Sequence, residues 1–326
     1  MNTDFILEKF KFEEDFKIPP VKNINAEAVI DIYEGMRDFF PSYQISLEPT
    51  TIAPKLDNIL DHFDALLLDA FGVINVGPEL VPGIISTLDK ARNKGITLLV
   101  VTNGASNNSF KKLAQLSSLG LEFSDNEIIS SRDAAEIFLT LNKPEGPMGI
   151  LGNIGNSFEI PNLHCVELEQ DYSMFDEMKS FVLLGTLHWD PLWQEILLNS
   201  LKDYPRPLFV ANPDIVAPYQ NKFSIEPAYY VSLLIKNGIH LPFWFGKPFS
   251  TIFEIAVNRI NELSGRYVPL SRIGMVGDTL HTDILGANSF GLKSILMTKY
   301  GLLRDSNIGE MIKKTNIIPD YIVEGP

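Results

Sequence analysis

The sequence is poor in cysteine and in positive charge, and each shortage excludes a class of function. Cys165 is the single cysteine among 326 residues. It excludes an internal disulfide framework and a cysteine-rich zinc site, and it fits a reducing compartment. Lysine and arginine total 27 against 41 aspartates and glutamates, a formal net charge of -14. Because nucleic acids and anionic lipids are bound by clustered basic residues, we expect neither as a partner.

Long apolar runs are also missing. No run approaches the roughly twenty residues that a membrane-spanning helix needs. Residues 1–17 carry acidic and aromatic side chains where a signal peptide has a basic and then an apolar segment. With 45% apolar residues, the chain can bury one large core or two smaller ones. We predict a cytoplasmic globular protein, and the sequence leaves open whether it forms a homo-oligomer.

The sequence pattern changes after the first sixty or so residues. Residues 1–58 contain a helical pattern from residue 26 to about residue 40, where Pro41 ends it, and we interpret them as an N-terminal helical extension. From about residue 59, short β-branched or leucine-rich runs alternate with amphipathic helical patterns. That alternation is typical of parallel strands joined by crossover helices. The predicted fold class is α/β, with a doubly wound, Rossmann-like parallel-sheet core and an inserted α/β cap.

The middle third of the chain is the predicted insertion. Pro144-Glu145-Gly146-Pro147 opens it, and it has strand patterns of its own at residues 148–151, 181–184 and 208–210. After residue 241 the core pattern resumes, with strands predicted at 273–276 and 294–297. We therefore assign residues 59–138 and 242–326 to the core and residues 139–241 to the cap.

Four polar residues follow predicted core strands or loops, namely Asp69, Thr102, Lys247 and Asp278. In open α/β sheets, reactive residues lie at the carboxyl ends of the strands, where the loops converge. A carboxylate such as Asp69 cannot approach a dianionic phosphate unless positive charge offsets the repulsion. A lysine and Mg²⁺ would supply that charge, since Mg²⁺ prefers carboxylates together with waters and substrate oxygens. The pattern therefore indicates phosphate chemistry beside a metal, and Asp283 is close enough in sequence to reach the same site.

These motifs closely resemble those of a known superfamily. The matching stretches are Asp69-Ala70-Phe71-Gly72-Val73, Val101-Thr102-Asn103, Gly246-Lys247-Pro248 and Gly277-Asp278 with Asp283. Together they resemble the four motifs of the haloacid dehalogenase (HAD) superfamily, over roughly residues 60 to 326. Only 33 positions separate Asp69 from Thr102, whereas 145 separate Thr102 from Lys247. A cap in the longer interval resembles class IIA, the p-nitrophenyl phosphatase and sugar-phosphatase-like branch, and so does Ala211-Asn212-Pro213-Asp214.

The resemblance implies a role for each matching residue. Asp69 would form an aspartyl-phosphate and bind Mg²⁺, Thr102 would orient the phosphate, and Lys247 would offset its charge. The other implied metal contacts are the carboxylates of Asp278 and Asp283 and the backbone carbonyl of Phe71. The predicted substrate contacts are Asn103, Gly104, Asn212 and Asp214. The implied activity is Mg²⁺-dependent hydrolysis of a small phosphorylated metabolite.

Phe71 departs from the superfamily pattern, which has a second aspartate at this position. That carboxyl would protonate the leaving oxygen and later activate water, and phenylalanine can do neither. General acid-base catalysis is typically worth about 10²- to 10⁴-fold, so we predict a slow phosphatase. Aryl or acyl phosphates, whose leaving groups need no protonation, would be affected least. We consider His281, in the acidic loop, as a hypothetical substitute base.

Two other functions remain open. One is a catalytically degenerate protein that binds a phosphorylated ligand or a partner but turns over little or nothing. The other is hydrolysis of a carbon-halogen bond, because superfamily members with an aromatic residue two places after the nucleophile perform it. Halide displacement has no need of Mg²⁺, so the metal-type residues Asp278 and Asp283 argue against it.

Substrate choice is predicted to lie in the inserted cap, whose closure would exclude water from the phosphate site. His188 and Trp189 are candidates for its inner face. Lys111 and Lys112 are adjacent in a helical pattern, and we interpret them as part of a solvated face.

Overall fold

The computed structural model describes residues 17–45, 48–153, 158–168, 172–186, 189–220, 222–239 and 242–326. Its strands are β1 (Thr51–Lys55), β2 (Ala65–Leu68), β3 (Asn75–Val76), β4 (Glu79–Leu80), β5 (Thr97–Thr102), β6 (Ile128–Ser130), β7 (Pro147–Leu151), β8 (His164–Glu167), β9 (Ser180–Leu183), β10 (Leu208–Val210), β11 (Val216–Tyr219), β12 (Lys222–Ile225), β13 (Pro242–Trp244), β14 (Ile273–Gly277), β15 (Lys293–Met297) and β16 (Tyr321–Gly325). Its α-helices are α1 (Ala26–Gly35), α2 (Ile84–Asn93), α3 (Ser109–Ser118), α4 (Ser131–Asn142), α5 (Pro191–Asp203), α6 (Pro227–Lys236), α7 (Ser250–Ser264), α8 (Leu285–Phe290) and α9 (Ile308–Thr315).

The larger sheet has seven parallel strands in the order β1-β16-β15-β14-β2-β5-β6. Side chains alternate between the two faces of a strand, and both faces of β2 are buried. Leu66 and Leu68 pack with residues of α2 and α3. Ala65 and Leu67 pack with residues of α7 and α8. Helices therefore cover both faces of this sheet, as the predicted doubly wound core requires.

A second parallel sheet, β13-β10-β9-β7-β8, lies between the two halves of the first in sequence. Phe181 and Leu183 of β9 share a hydrophobic cluster with α5 and α6. Val182 of the same strand packs instead with residues of α4. The insertion is thus an α/β layer with its own core, and the predicted fold class is confirmed.

Two strands lie on the other side of a predicted boundary. Strand β1 (Thr51–Lys55) pairs in parallel with β16 (Tyr321–Gly325) at the edge of the seven-stranded sheet. We predicted the residues of β1 to belong to the helical extension. Pro242–Trp244 pairs with β10 in the inserted sheet, although we predicted it to belong to the core. Helix α1, by contrast, forms where the extension was predicted to be helical. Within the described ranges, every helix is too short or too polar to cross a bilayer.

Candidate active site

Three carboxylates meet at the carboxyl edge of the larger sheet. Strands β2 and β14 are neighbours, with Leu68 opposite Val276. Asp69 directly follows β2, and Asp278 directly follows β14. Asp283 comes from the π-helical turn Leu280–Ile284, and one oxygen from each of the three carboxylates lies within 4.8 Å of the others. The sheet thus brings together residues that are about two hundred positions apart in sequence.

Two glycines leave room for the Asp278 carboxylate. A Cβ atom at Gly72 would lie 2.4 Å from Asp278 Oδ2, and one at Gly301 would lie 2.1 Å from the same oxygen. Gly72 also has φ of +84°, which side chains rarely tolerate. Asp278 Oδ2 accepts a hydrogen bond from the backbone N–H of Leu302 at 2.6 Å, and Oδ1 accepts one from the Thr279 hydroxyl at 2.8 Å. The carboxylate is therefore held in one orientation.

Lys247 supplies the positive charge of the cluster. Its side chain is 2% exposed, and its Nζ lies 2.5 Å from Asp69 Oδ1 and 2.8 Å from Asp283 Oδ1. Burial alone would lower the pKa of Lys247, but the carboxylates of Asp283, Asp69 and Asp214 raise it. The ammonium is therefore charged throughout the physiological pH range and lies beside the predicted nucleophile.

Asn103 fixes the position of Lys247. Its Oδ1 accepts the backbone N–H of Lys247 at 2.7 Å, and its Nδ2 donates to the Lys247 carbonyl at 3.0 Å. The same Nδ2 donates to Asp214 Oδ1 at 2.9 Å. These bonds occupy the amide group, so the Asn103 side chain positions Lys247, and the substrate contact of Asn103 stays a prediction.

Burial and mutual repulsion perturb the carboxyl groups. Burial, followed by the charge of Asp283, raises the pKa of Asp69 to about 7, although Lys247 opposes the shift. Burial, followed by the charges of Asp69 and Asp283, raises the pKa of Asp278 to about 8. Three ionised carboxylates beside one ammonium would carry a net charge of about -2, which a single divalent cation would neutralise. The donor set and its charge therefore fit a hard divalent metal held by oxygen ligands.

Asp283 has a second task within its own loop. Its Oδ2 accepts hydrogen bonds from the backbone N–H groups of Asp278 at 3.2 Å and Thr279 at 3.1 Å.

Thr102 lies at the end of β5, the strand next to β2. It is 5% exposed, and its hydroxyl accepts a hydrogen bond from the Gly104 N–H at 3.1 Å. The residues predicted to contact metal and phosphate thus converge at one edge of the sheet.

A cavity of about 150 Å³ adjoins this edge. Phe71, Thr102 and Asp214 border it, together with two residues that our sequence analysis did not assign to the site, Glu226 and Lys112. Burial raises the pKa of Glu226 to about 7, against hydrogen bonds from Ser224 and Asn212. We call this cavity the leaving-group side and the carboxylate cluster with Lys247 the phosphate side.

The prediction that Lys112 lies on a solvated face is wrong. Lys112 is 9% exposed, while Lys111 next to it is exposed as predicted. Helix α3 turns one of the two side chains toward the cavity, because residues that are adjacent on a helix lie about 100° apart around its axis. Two consecutive lysines give no signal in sequence as to which one is buried.

His281 does not occupy the position of a substitute base. Its ring is buried, stacks on Tyr33 with ring centroids 4.8 Å apart, and places Nε2 2.6 Å from Glu34 Oε1. It is not among the described residues that line the cavity. These contacts contradict the hypothesis that it activates water, and they show that helix α1 packs against the acidic loop.

Helix α1 also contacts the loop after β10. The Tyr33 hydroxyl accepts the N–H of Ile215 at 3.0 Å and donates to the carbonyl of Pro213 at 3.4 Å. The sequence predicts no role for the extension, because the partners of α1 lie far along the chain. His188, a predicted cap-face candidate, lies outside the described residues, whereas Trp189 packs against Trp193 and Tyr230.

Known proteins match most of the chain. A family profile described as haloacid dehalogenase-like hydrolase matches residues 66–162, and a second, HAD-hydrolase-like profile matches residues 244–325. Phosphoglycolate phosphatase 2 of Arabidopsis thaliana is 26% identical over 286 residues, which cover 81% of this chain and 91% of that protein. These matches confirm the superfamily resemblance.

Two solved structures are informative. A possible sugar phosphatase of the HAD superfamily from Cytophaga hutchinsonii matches with a TM-score of 0.75 and 28% identity, covering 85% of this chain and 98% of that one. A glycerol phosphate phosphatase from Mycobacterium tuberculosis, solved in complex with magnesium, matches with a TM-score of 0.59 and 23% identity, covering 74% and 70%. The first agrees with the predicted branch, and the second shows a likeness of fold.

Proposed function

Because this chain belongs to the haloacid dehalogenase-like hydrolases, we propose that it is a phosphoric monoester hydrolase that uses Mg²⁺ and acts on a small phosphorylated metabolite. The observation that carries the proposal is the placement of the Lys247 ammonium between Asp69 and Asp283, with Asp278 in the same cluster. A nucleophilic carboxylate needs such compensation before a dianionic phosphate can approach it. The magnesium complex of the fold relative from Mycobacterium tuberculosis supports the choice of metal.

In the proposed first step, an oxygen of Asp69 attacks phosphorus, and the bond from phosphorus to the leaving oxygen breaks. Lys247 lies 2.5 Å from the attacking group and offsets part of the charge. The Thr102 hydroxyl, at the end of β5, orients the phosphoryl oxygens. In the second step, water attacks the aspartyl-phosphate, which releases inorganic phosphate and restores the Asp69 carboxylate.

A divalent cation would be held by Asp69, Asp278 and the backbone carbonyl of Phe71, with Asp283 in support. When bound, it would keep the carboxylates ionised and offset the charge of the phosphoryl group. Without it, the raised pKa values of Asp69 and Asp278 would leave both groups partly protonated at neutral pH. Loss of the metal should therefore weaken the nucleophile as well as phosphate binding.

Phe71 makes turnover slow in this proposal. Its side chain borders the leaving-group side but carries no proton to give to the leaving oxygen and no base to activate water. The missing catalysis corresponds to about 10²- to 10⁴-fold. The same observation favours the alternative of a degenerate member that binds a phosphorylated ligand without turnover. Carbon-halogen hydrolysis is disfavoured, because it does not need a metal, whereas the carboxylate cluster fits one.

Hydrolysis of p-nitrophenyl phosphate tests the proposal directly, because its leaving group needs no protonation. We expect Mg²⁺-dependent activity that a chelator abolishes and that Asp69→Asn lowers by about 10³-fold or more. Asp89→Asn is the matched control, because it removes an exposed carboxylate on α2 outside the site. Undiminished activity in Asp69→Asn would refute the aspartyl-phosphate pathway, and absence of wild-type activity would favour the binding protein.

A further inference from the structure

Lys112 is the one cation among the described residues that line the leaving-group side. It lies on α3, its side chain is more than nine-tenths buried, and its ammonium donates a hydrogen bond to the backbone carbonyl of Asn107. No carboxylate of the described residues lies within ion-pair distance of it. An ammonium has three donors, so the Asn107 carbonyl does not satisfy the group.

Other groups occupy the carboxylates nearest to Lys112. Asp133 Oδ2 accepts hydrogen bonds from the backbone N–H of Ser130 at 2.7 Å and from its hydroxyl at 2.8 Å, and so caps helix α4. Glu136 accepts from Arg132 Nε at 2.7 Å. Burial, followed by opposing effects of Asp133, Arg132 and Glu136, lowers the pKa of Lys112 to about 8. The group is therefore still mostly charged at neutral pH.

The acids that share the cavity do not cancel this charge. Burial raises the pKa of Asp214 well above its usual value and that of Glu226 to about 7. Asp214 is bonded to Asn103, and Glu226 to Asn212 and Ser224. Near neutral pH the cavity therefore presents an ammonium that forms no ion pair with the described residues and that Glu226 compensates only in part, and an anionic ligand group would pair with it.

We propose that Lys112 binds a second anionic group, carried on the leaving portion of the substrate. The proposal rests on the proposed function and narrows it to small phosphomonoesters that also bear a carboxylate or a second phosphate. A lysine suits either, since it acts as a compact point charge. The cavity volume of about 150 Å³ favours the smaller group, so the substrate is the phosphate ester of a short hydroxy acid.

The test compares 2-phosphoglycolate with 2-hydroxyethyl phosphate, which lacks the carboxylate. Wild type should prefer phosphoglycolate in kcat/KM, and Lys112→Met should reduce that ratio by about 10- to 100-fold, mainly through KM, since a charge-assisted hydrogen bond is worth about 1.5–3 kcal/mol. Lys112→Arg keeps the charge and should retain most of the ratio. Lys111→Met removes the exposed neighbouring lysine and should leave the ratio unchanged.

Binding of the two esters can be measured in the Asp69→Asn variant, without turnover, so the anion site is tested separately from the proposed phosphatase activity. If wild type turns over neither these esters nor p-nitrophenyl phosphate, the phosphatase proposal fails, but calorimetry should still show that Lys112→Met weakens phosphoglycolate binding more than hydroxyethyl phosphate binding. A preference for ethylene glycol bisphosphate that is lost in Lys112→Met would support the anion site and assign it to phosphate. An equal loss on both monoesters, or an unchanged ratio, would overturn the proposal and leave Lys112 a support for the Asn107 loop.

Discussion

The phosphate side and the leaving-group side border the same space but are built differently. On the phosphate side, the Lys247 ammonium lies within hydrogen-bond reach of Asp69 and Asp283, and an Asp278 oxygen lies within 4.8 Å of an oxygen of each of these carboxylates. On the leaving-group side, Phe71 stands where the superfamily has an acid, and Lys112 has no ion-pair partner among the described residues. The difference is that the residues proposed to handle a phosphoryl group lie together, while the side chain of Phe71 cannot donate a proton on the leaving-group side.

The two sides also come from different elements. The three carboxylates of the phosphate side follow the neighbouring strands β2 and β14, so the rigid sheet sets their distances, and Lys247 follows β13 of the inserted sheet. The leaving-group side takes Lys112 from helix α3, Asp214 from the loop after β10, and Glu226 from the N-terminus of α6. The sheet therefore positions the carboxylates proposed for the reaction, while helices and loops position the residues proposed for substrate choice.

Lys247→Met should have the largest effect, because it removes the ammonium that contacts both Asp69 and Asp283 on the phosphate side. Without the ammonium, Asp69 and Asp283 repel each other and the phosphate. We expect kcat to fall by about 10³-fold, and the free energy of unfolding to fall by about 3–5 kcal/mol because a buried ion pair loses one partner. Activity should be assayed at a temperature where circular dichroism shows the variant to be folded. Retention of more than a tenth of the activity would contradict this account of the phosphate side.

Phe71→Asp should repair the leaving-group side. With 2-hydroxyethyl phosphate, whose leaving alkoxide needs a proton, we expect kcat/KM to rise by about 10²-fold. With p-nitrophenyl phosphate the gain should appear in kcat and not in kcat/KM, because only the attack of water on the aspartyl-phosphate becomes faster. Phe71→Asn is the control for side-chain size and polarity without an acid. A similar gain in Phe71→Asn would mean that removal of the bulky aromatic ring, and not proton transfer, causes the gain.

Glu226→Gln tests the electrostatics of the leaving-group side through stability. The pKa of Glu226 is about 7 in the folded protein and 4.5 in its ordinary state, so its contribution is complete below pH 4.5 and is lost as pH rises through 7. The carboxyl borders a cavity, which moderates the effect. Between pH 5 and pH 8 in excess Mg²⁺, wild type should lose about 1–3 kcal/mol more than Glu226→Gln in urea unfolding. Parallel pH profiles would show that this carboxyl is not perturbed.

Tyr33→Phe should have the smallest effect, since it asks whether helix α1 supports both sides. The variant keeps the stack on His281 but leaves the N–H of Ile215 without its acceptor. We expect the free energy of unfolding to fall by about 1 kcal/mol and KM to rise a few-fold, because the loop that carries Asp214 is less fixed. Denaturant unfolding and steady-state kinetics measure the two effects. A change in kcat without a change in KM would place the influence of α1 on the acidic loop instead.

The phosphate side could be predicted from sequence because parallel strands deliver residues to one edge. The strand predicted at 273–276 forms as Ile273–Gly277, and Asp69 follows Ala65–Leu68 in the neighbouring strand, so the positions of Asp69 and Asp278 agree with the general rule for such sheets. The metal-type cluster therefore required no knowledge of packing. The bonds between the Asn103 side chain and Lys247 were not predicted, because a side chain that follows a strand can face either a ligand or a neighbouring loop.

The leaving-group side could not be predicted in the same way. Burial of Lys112 depends on how α3 is rotated against the cavity.

Contacts made by the N-terminal region were also not predicted. The contact between Glu34 and His281, outside the cavity, joins residues 247 positions apart. Strand β1 was missed because it is short, contains Pro54 and has Ala53 as its one buried residue. Its partner, β16, lies at the other end of the described chain. Such contacts have no local pattern in sequence.

Pre-steady-state hydrolysis of p-nitrophenyl phosphate tests most directly the claim that the phosphate side is intact while the acid-base group is missing. Attack by Asp69 should proceed without a general acid, whereas hydrolysis of the aspartyl-phosphate should be slow without a base. The account predicts a burst of about one equivalent of p-nitrophenolate per protein with Mg²⁺, absent in Asp69→Asn and replaced by faster linear turnover in Phe71→Asp. Linear release by wild type, at a rate that Phe71→Asp does not increase, would contradict it.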